Sequence, residues 1–256
     1  MKQFRIDDML LYEDDDIIII NKPAGLASAD ERDTSRPSLL GLLRARNPGT
    51  RLCHRIDRET SGVIVAAKHF PVHRVLAEQF RRRQVRKIYH ALVWGRAAFA
   101  GETIEHPLRT ISSVYVPFHL DGEEVSPVST FRAVLDTRRG RPSQTIVTTL
   151  STSRHFSLVE CRPVTGRMHQ IRAHLSREGY PVVCDPLYRG AAAYLSELKR
   201  GYRHSGEGPE RPLISRVALH ACAISFELFD RKYTFEAPYP KDFAALLKTL
   251  AKYDGF

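Results

Sequence analysis

Cysteine is scarce in this sequence and is not arranged for a disulfide framework or a zinc site. The 256 residues contain four cysteines, Cys53, Cys161, Cys184 and Cys222, with no C-x-x-C pair. Disulfide-rich and zinc-binding proteins use closely spaced or regularly paired cysteines. We therefore interpret the four as unpaired thiols, most of them buried.

Long apolar runs are also missing. The longest aliphatic run covers residues 17–20, between Asp16 and Asn21, whereas a transmembrane helix needs about 20 apolar residues. The first residues carry no apolar stretch suited to a signal peptide. We expect no membrane span and a cytoplasmic location.

Cofactor and nucleotide motifs are absent as well. The sequence has no G-x-S-x-G, no G-x-x-x-x-G-K-[ST], no G-x-G-x-x-G and no H-E-x-x-H, although it contains 11 histidines. These patterns mark esterase nucleophiles, phosphate loops, dinucleotide sites and zinc sites. The expectation is therefore that the protein uses no cofactor and no metal.

Positive charge is what the sequence has in excess. Its 39 lysines and arginines against 29 aspartates and glutamates give a formal net charge of +10. A surplus of this size favours a polyanionic partner, RNA or DNA, because cations on the protein replace the counterions of phosphates. Hydrophobic residues make up 43% of the chain, which is ordinary for a globular protein and excludes disorder.

The hydrophobic pattern predicts strands and helices in mixed order, without regular strand–helix alternation. This pattern is typical of an α+β fold with a largely antiparallel sheet. Strands are expected at residues 17–21, 62–67, 87–94, 156–161 and 219–228, and helices at 38–46, 71–83, around 168–175 and at 242–253. Residues 101–127 and 201–212 are predicted to be exposed insertions. Residues 1–256 are expected to form one domain or two fused lobes.

A first candidate site precedes the strand at residues 62–67. Asp57 lies between Arg55 and Arg58 in the segment His54-Arg55-Ile56-Asp57-Arg58-Glu59-Thr60-Ser61-Gly62. A carboxylate beside guanidinium groups stays ionised, as a nucleophile or an electrostatic stabiliser must. A salt-bridged aspartate in a surface loop is the alternative interpretation.

A second candidate site lies at the start of the helix near residue 170. Arg167, Gln170 and Arg172 place three strong donors where helix amides already attract anions. A basic amphipathic helix with solvated arginines is the alternative.

A third candidate segment is strongly basic and leads into a strand that bears an aromatic residue. Five cations precede Tyr89, and they are Arg81, Arg82, Arg83, Arg86 and Lys87. Cations that hold phosphates beside a ring that stacks on a base are typical of nucleic-acid surfaces. Tyr89 by itself would more often be a core or sheet residue.

Taken together and in this order, the three segments resemble the RluA family of RNA pseudouridine synthases, and the resemblance runs from about residue 17 to residue 243. Further matching segments are Asn21-Lys22-Pro23-Ala24-Gly25, residues 179–188 and Leu219-His220-Ala221. Two positions depart from the family pattern, since Cys184 stands where glycine is usual and Met168 where threonine or serine is common.

The resemblance implies a pseudouridine-synthase fold, a mixed and mostly antiparallel sheet flanked by helices, with a central RNA-binding cleft. It implies one catalytic domain without a separate N-terminal S4-type RNA-binding domain, and no cofactor. Asp57 would be the catalytic carboxylate, Arg172 its ion-pair partner, and Tyr89 the ring that stacks on a flipped-out uracil. Contacts to RNA are expected from Arg55, Arg81, Arg82, Arg83, Arg86, Lys87 and Arg167.

The expected substrate is a uridine in ribosomal RNA, transfer RNA or both, isomerised by a monomer without an obligate protein partner. Two alternatives belong to other classes. One is a basic RNA-binding or ribosome-assembly factor that has the same fold and no catalytic activity. The other is a metal-dependent hydrolase built from the histidines and carboxylates.

Overall fold

The computed structural model describes residues 4–30, 36–115, 128–202, 204 and 208–256. These residues form two compact units. The first lies within residues 1–89 and 220–239, and the second within residues 90–219 and 240–256. The chain therefore leaves the first unit after Tyr89 and returns to it at His220. That residues 1–256 act as one catalytic domain stays a prediction.

Twelve strands and five helices occur in this part of the chain. The strands are β1 (Leu10–Glu13), β2 (Ile17–Lys22), β3 (Arg51–Leu52), β4 (Ser61–Ala67), β5 (Arg86–Trp94), β6 (Ala100–Ile104), β7 (Leu108–Tyr115), β8 (Val128–Leu135), β9 (Thr145–Thr152), β10 (Phe156–Pro163), β11 (Leu219–Leu228) and β12 (Arg231–Glu236). The helices are α1 (Leu39–Arg46), α2 (Phe70–Arg81), α3 (Gln170–Arg177), α4 (Leu195–Leu198) and α5 (Lys241–Tyr253), and Pro186–Tyr188 forms a 3₁₀ turn.

The first unit is built on a mixed sheet with the strand order β1-β2-β4-β11-β5, in which β12 pairs with β11. β2 runs antiparallel to β4, and β12 antiparallel to β11. β11 is parallel to β4, with His220 opposite Ser61 and Ala221 opposite Gly62. This parallel pair brings β11 beside the strand that follows Asp57.

The second unit contains the strands ordered β5-β10-β9-β6, together with a separate β7–β8 hairpin. The β10–β9, β6–β9 and β7–β8 pairs are all antiparallel. The predicted α+β fold with a mostly antiparallel sheet is therefore confirmed.

Local sequence explains several of these elements. Residues 17–20 are four isoleucines with no exposed surface, so β2 is buried on both faces. The Asp14 carboxylate accepts the amide hydrogens of Asp16 and Ile17 (2.9 and 2.8 Å). These bonds stabilise the turn between β1 and β2. α5 begins after Pro240 and buries one stripe of its surface, as its periodicity predicts.

Every strand and helix that the sequence predicts is present, but the expected insertion at residues 101–127 is wrong in part. β6 ends at Ile104 and β7 covers Leu108–Tyr115, while residues 116–127 lie outside the described residues. The described part of residues 201–212 contains no helix or strand, as expected. Within the described ranges, no helix is both long enough and apolar enough to cross a membrane.

Candidate active site

Asp57 lies in the loop between β3 and β4, and the backbone on its N-terminal side is held by one buried serine. The Ser28 hydroxyl donates to the carbonyl oxygen of Ile56 (2.6 Å), and the Ile56 amide approaches the same hydroxyl oxygen at 3.2 Å. Ser28 is 4% exposed. The Thr60 amide donates to the Asp57 carbonyl oxygen (3.1 Å) and closes a turn. These bonds restrict where the Asp57 side chain points.

The C-terminal side of Asp57 is held by a fully buried ammonium group. Lys22 Nζ donates to the carbonyl oxygens of Pro23 (2.9 Å), Leu26 (2.7 Å) and Arg58 (3.1 Å). The Arg58 carbonyl oxygen also accepts the amide hydrogen of Gly25 (2.9 Å). A buried charge of this kind is tolerated when its donors are satisfied. The lysine-proline-glycine segment therefore supports the loop that carries Asp57.

Tyr89 lies within electrostatic reach of Asp57. Its side chain is buried in β5 at 9% exposure. Burial, followed by the negative charge of Asp57 and by Cys222, raises the pKa of the phenol well above its usual value. Tyr89 is therefore a neutral phenol that interacts electrostatically with Asp57. The shared role of the two residues in the site stays a prediction.

His54 anchors the start of the same loop. Its Nε2 accepts the amide hydrogen of Val65 in β4 (3.1 Å), and its ring stacks on Phe80 of α2 with centroids 4.8 Å apart. Burial, and secondarily the charge of Lys87, lowers the pKa of His54 to about 3. His54 is therefore a neutral hydrogen-bond acceptor at physiological pH.

Arg172 is buried in α3 of the second unit, where the Asp185 carboxylate binds it. Its Nε and Nη2 donate to the two oxygens of Asp185 (2.6 and 2.7 Å). The guanidinium carbon lies 5.0 Å from the centroid of the Tyr188 ring. Arg172 is 5% exposed and Asp185 has no exposed surface, so the alternative of a solvated arginine is wrong here. The expected pairing of Arg172 with Asp57 stays a prediction.

Gln170, at the start of α3, is buried, and its side-chain amide bonds to neighbouring protein groups. Its Oε1 accepts from the Thr165 hydroxyl (2.6 Å) and the Arg167 amide (3.0 Å). Its Nε2 donates to the Gln144 carbonyl oxygen and the Thr145 hydroxyl, both at 2.9 Å. Gln170 therefore ties α3 to β9, and the anion-binding interpretation of its amide is not supported by its contacts.

The basic residues that we expect to contact RNA differ in exposure. Arg55, Arg81, Arg82, Arg83 and Arg86 are exposed. Lys87 and Arg167 are partly buried. Burial lowers the pKa of Lys87 to about 8. A larger fraction of this side chain is therefore uncharged near neutral pH than of the neighbouring arginines. The roles of all seven in RNA binding stay predictions.

Sequence reasoning missed three residues that shape the site, Lys22, Ser28 and Asp185. Lys22 and Asp185 lie in segments that carry the family resemblance, but no local pattern shows that an ammonium is buried or that Asp185 binds Arg172. Ser28 has no sequence signal. In the described residues, histidine, cysteine and carboxylate side chains form no group of three that could hold a metal ion.

The sequence profile of a family described as RNA pseudouridylate synthase matches residues 16–177. The matched region contains Asp57, Tyr89 and Arg172.

Individual relatives agree with this match. The large ribosomal subunit pseudouridine synthase C of Escherichia coli K12 is 35% identical over 222 residues, which cover 86% of this chain and 62% of the relative. The enzyme of the same name from Yersinia pestis is 34% identical over 238 residues, covering 92% and 66%. The chain thus spans less than two thirds of the length of these relatives.

Two solved structures have a similar fold. Human RNA pseudouridylate synthase domain containing 4 superposes with a TM-score of 0.66 at 24% identity, covering 96% of this chain and 94% of the human one. Human RNA pseudouridylate synthase domain containing 1 gives 0.64 at 25% identity, covering 94% and 87%. The predicted fold is confirmed by these similarities.

Proposed function

Because this chain belongs to the RluA family of RNA pseudouridine synthases, we propose that it isomerises uridine to pseudouridine within RNA. The reaction breaks the N1–C1′ bond of uridine and joins C1′ to C5. C5 loses its proton and N1 gains one, so the product is an isomer. No oxidant, reductant or transferred group is consumed.

The observation that carries this proposal is the support given to Asp57. Ser28 binds the backbone of Ile56, and Lys22 binds the backbone of Arg58, so the main chain is held on both sides of Asp57. Attack on C1′, addition to C6 and removal of a sugar proton are the three routes open to an aspartate in this reaction, and each needs a carboxylate held against the nucleoside. A passive RNA binder has no need of a carboxylate beside phosphates.

Tyr89 is proposed to stack on the target base. A base must leave the RNA helix before a side chain reaches C1′ and C5. Stacking of such a base on an aromatic ring is worth roughly 1–3 kcal/mol. The raised pKa of Tyr89 keeps the phenol neutral, so the ring does not add a second negative charge beside Asp57.

Arginines are proposed to complete the site. By resemblance, Arg172 orients the Asp57 carboxylate, and the bidentate bond to Asp185 would hold the guanidinium in place. Arg55 would fill the gap that the flipped nucleotide leaves in the RNA stack. The central RNA-binding cleft belongs to the same proposal.

The substrate is proposed to be ribosomal RNA, transfer RNA or both. The positive net charge supports an RNA partner, and the printed names of the bacterial relatives refer to the large ribosomal subunit. We also propose that the protein acts in the cytoplasm as a monomer, without an obligate protein partner.

Replacing Asp57 tests the proposal. Asp57→Asn and Asp57→Ala should abolish pseudouridine formation, because the catalytic carboxylate is lost, while RNA affinity stays within about tenfold. Purified protein is incubated with bulk RNA from cells that lack the gene, and pseudouridine is mapped by carbodiimide-induced primer-extension stops. Asp8→Asn, which removes an exposed carboxylate of the same unit, is the matched control.

Two outcomes would reject the proposal. Pseudouridine formation by Asp57→Ala at the rate of the unchanged protein would exclude Asp57 as the catalytic group. RNA binding without any modification by the unchanged protein would favour the inactive RNA-binding alternative. Pseudouridine formation that survives the addition of EDTA would exclude the metal-dependent hydrolase.

A further inference from the structure

The turn that joins β11 to β12 contains a residue that is unusual at such a position, Phe229. Phe229 and Asp230 both have positive φ angles, 50° and 60°, between the paired residues Leu228 and Arg231. Two-residue turns of this geometry favour Asn-Gly, because bulky side chains are strained in the left-handed region. Phe229 is also 63% exposed. Backbone strain reduces stability, and an exposed ring gains none from burial, so folding does not account for the phenylalanine.

The tip of this hairpin is tied to the C-terminal end of α2. The Gln79 side chain donates from Nε2 to the Glu227 carbonyl oxygen, and the Glu227 amide donates back to Gln79 Oε1 (3.3 Å). One side-chain amide thus satisfies both backbone groups of Glu227. The turn that carries Phe229 is therefore held near the end of α2, where the basic segment begins.

Cations lie on both segments that the Gln79–Glu227 hydrogen bonds join. We call the exposed ring and these neighbouring side chains the tip surface. It contains the ring of Phe229 and the cations of Arg81, Arg82, Arg83, Arg231 and Lys232, all of them exposed, and three carboxylates, Glu78, Glu227 and Asp230. Glu78 pairs with Arg81 and Arg82 (both 2.5 Å), and Arg231 lies over the Tyr233 ring at 5.0 Å. Positive charge exceeds negative charge on this surface.

We propose that the tip surface binds single-stranded RNA beside the target uridine, with Phe229 stacking on an unpaired base and the cations binding its phosphates. An exposed ring among cations matches a nucleotide chain, in which bases alternate with phosphates. A second copy of this chain would bring like charges together across a symmetric interface. This inference rests on the proposed function.

The position of the tip surface relative to Tyr89 fits this role. Arg83 is followed closely by β5, and Arg86 lies three residues before Tyr89, about 10 Å along the strand. The basic segment thus leads along the chain from the tip surface into the strand that carries Tyr89, the ring on which we expect the target base to stack. The tip surface would hold nucleotides that flank the target.

Replacing the ring tests this inference. Phe229→Asn should weaken binding of a fluorescein-labelled oligouridine RNA at least about fivefold, because a stacked base is lost. The melting temperature should stay unchanged or rise, because asparagine tolerates positive φ better than phenylalanine. Phe229→Trp should retain affinity. Binding is measured by fluorescence anisotropy at several salt concentrations.

Two further variants separate the contributions. Lys232→Gln should reduce the slope of log affinity against log salt concentration by roughly 0.7, one phosphate contact, whereas Phe229→Asn should leave the slope unchanged. Phe70→Asn is the matched control, since Phe70 is 59% exposed at the opposite end of α2, with Arg51 over its ring at 5.4 Å. Phe70→Asn should bind RNA as the unchanged protein does.

Equal affinity of Phe229→Asn and the unchanged protein would overturn the inference. If Phe229→Asn in addition changes the molecular mass of the protein in solution, the tip surface is a protein interface instead. Because binding is measured apart from pseudouridine formation, a protein that binds through Phe229 and modifies no uridine would refute the proposed function while supporting the tip surface.

Discussion

At the scale of single residues, His54 shows how a titratable side chain can serve as a fixed neutral group. Its Nε2 accepts the Val65 amide hydrogen, and its ring stacks on Phe80. Protonation would remove the acceptor and place a second positive charge near Lys87. Burial, and secondarily the charge of Lys87, lowers the pKa of His54 to about 3. His54 links the Asp57 loop to β4 only in its neutral form.

Replacing His54 by glutamine should reduce the acid sensitivity of the fold. The pKa of His54 is 6.5 when unfolded and about 3 when folded, so between these values a proton binds the unfolded histidine alone. Folding stability therefore falls as pH drops through this window, by up to about 1.4 kcal/mol per pH unit. His54→Gln keeps an acceptor for the Val65 amide and removes the titration. Urea unfolding at pH values across the window measures the difference.

His54→Phe is the control for the hydrogen bond. It also removes the titration, but it leaves the Val65 amide without its side-chain acceptor, at a cost of about 1–3 kcal/mol at neutral pH. If His54→Gln and the unchanged protein lose stability equally between pH 6.5 and pH 4, the histidine is not kept neutral by the fold.

At the scale of secondary-structure elements, Gly62 allows the parallel contact between β4 and β11. A Cβ atom at Gly62 would lie 2.1 Å from the carbonyl oxygen of Ala221, and the φ angle of Gly62 is +119°. Backbone atoms of a paired strand cannot move aside as a flexible side chain can. The glycine at the end of the aspartate segment is therefore required by strand pairing directly after the Asp57 loop.

Gly62→Ala should destabilise the protein by about 3 kcal/mol or more, because steric overlap adds to left-handed backbone strain. Activity should fall with stability, since the Asp57 loop leads into this strand. Gly101→Ala is the matched control. Its φ is +100°, but no atom lies within 4 Å of the added Cβ, so strain acts alone. Urea unfolding of both variants gives the comparison, and equal losses would show that the β4–β11 approach does not matter.

Elements with a strong hydrophobic period were predictable, and those without one were not. β2, β4 and α5 bury continuous runs or stripes of apolar residues. β6 and β7 are rich in serine, threonine and glutamate, so they resemble loops in sequence. Their structure depends on pairing with β9 and β8. A strand whose polar side chains face solvent is stabilised by its neighbours, and local sequence carries little signal for it.

At the scale of the whole molecule, the net charge of +10 should make RNA binding strongly dependent on salt. The triple variant Arg81→Gln, Arg82→Gln, Arg83→Gln should weaken binding. It should also reduce the slope of log affinity against log salt concentration by between roughly 0.7 and 2.1. The smaller value applies if the ion pairs with Glu78 keep both Arg81 and Arg82 from contacting phosphates. Anisotropy titrations with oligouridine RNA measure the slope.

The matched control is a second arginine cluster. Arg138, Arg139 and Arg141 are exposed in a loop of the second unit. Replacing all three by glutamine removes the same charge and should leave the slope unchanged. An equal reduction by both triple variants would mean that net charge, rather than the segment before β5, governs RNA binding.

The sequence by itself determined the positive charge, the strands and helices with strong periodicity, and the ordered segments around Asp57, Tyr89 and Arg172 that identify the family. Tertiary structure alone decided that Lys22 bonds Arg58, that Ser28 bonds Ile56, that Asp185 holds Arg172 and that Gln79 binds Glu227. Hydrophobic period reports which side of an element is buried. Hydrogen-bond partners depend on which distant parts of the chain meet after folding, and neither composition nor spacing encodes that.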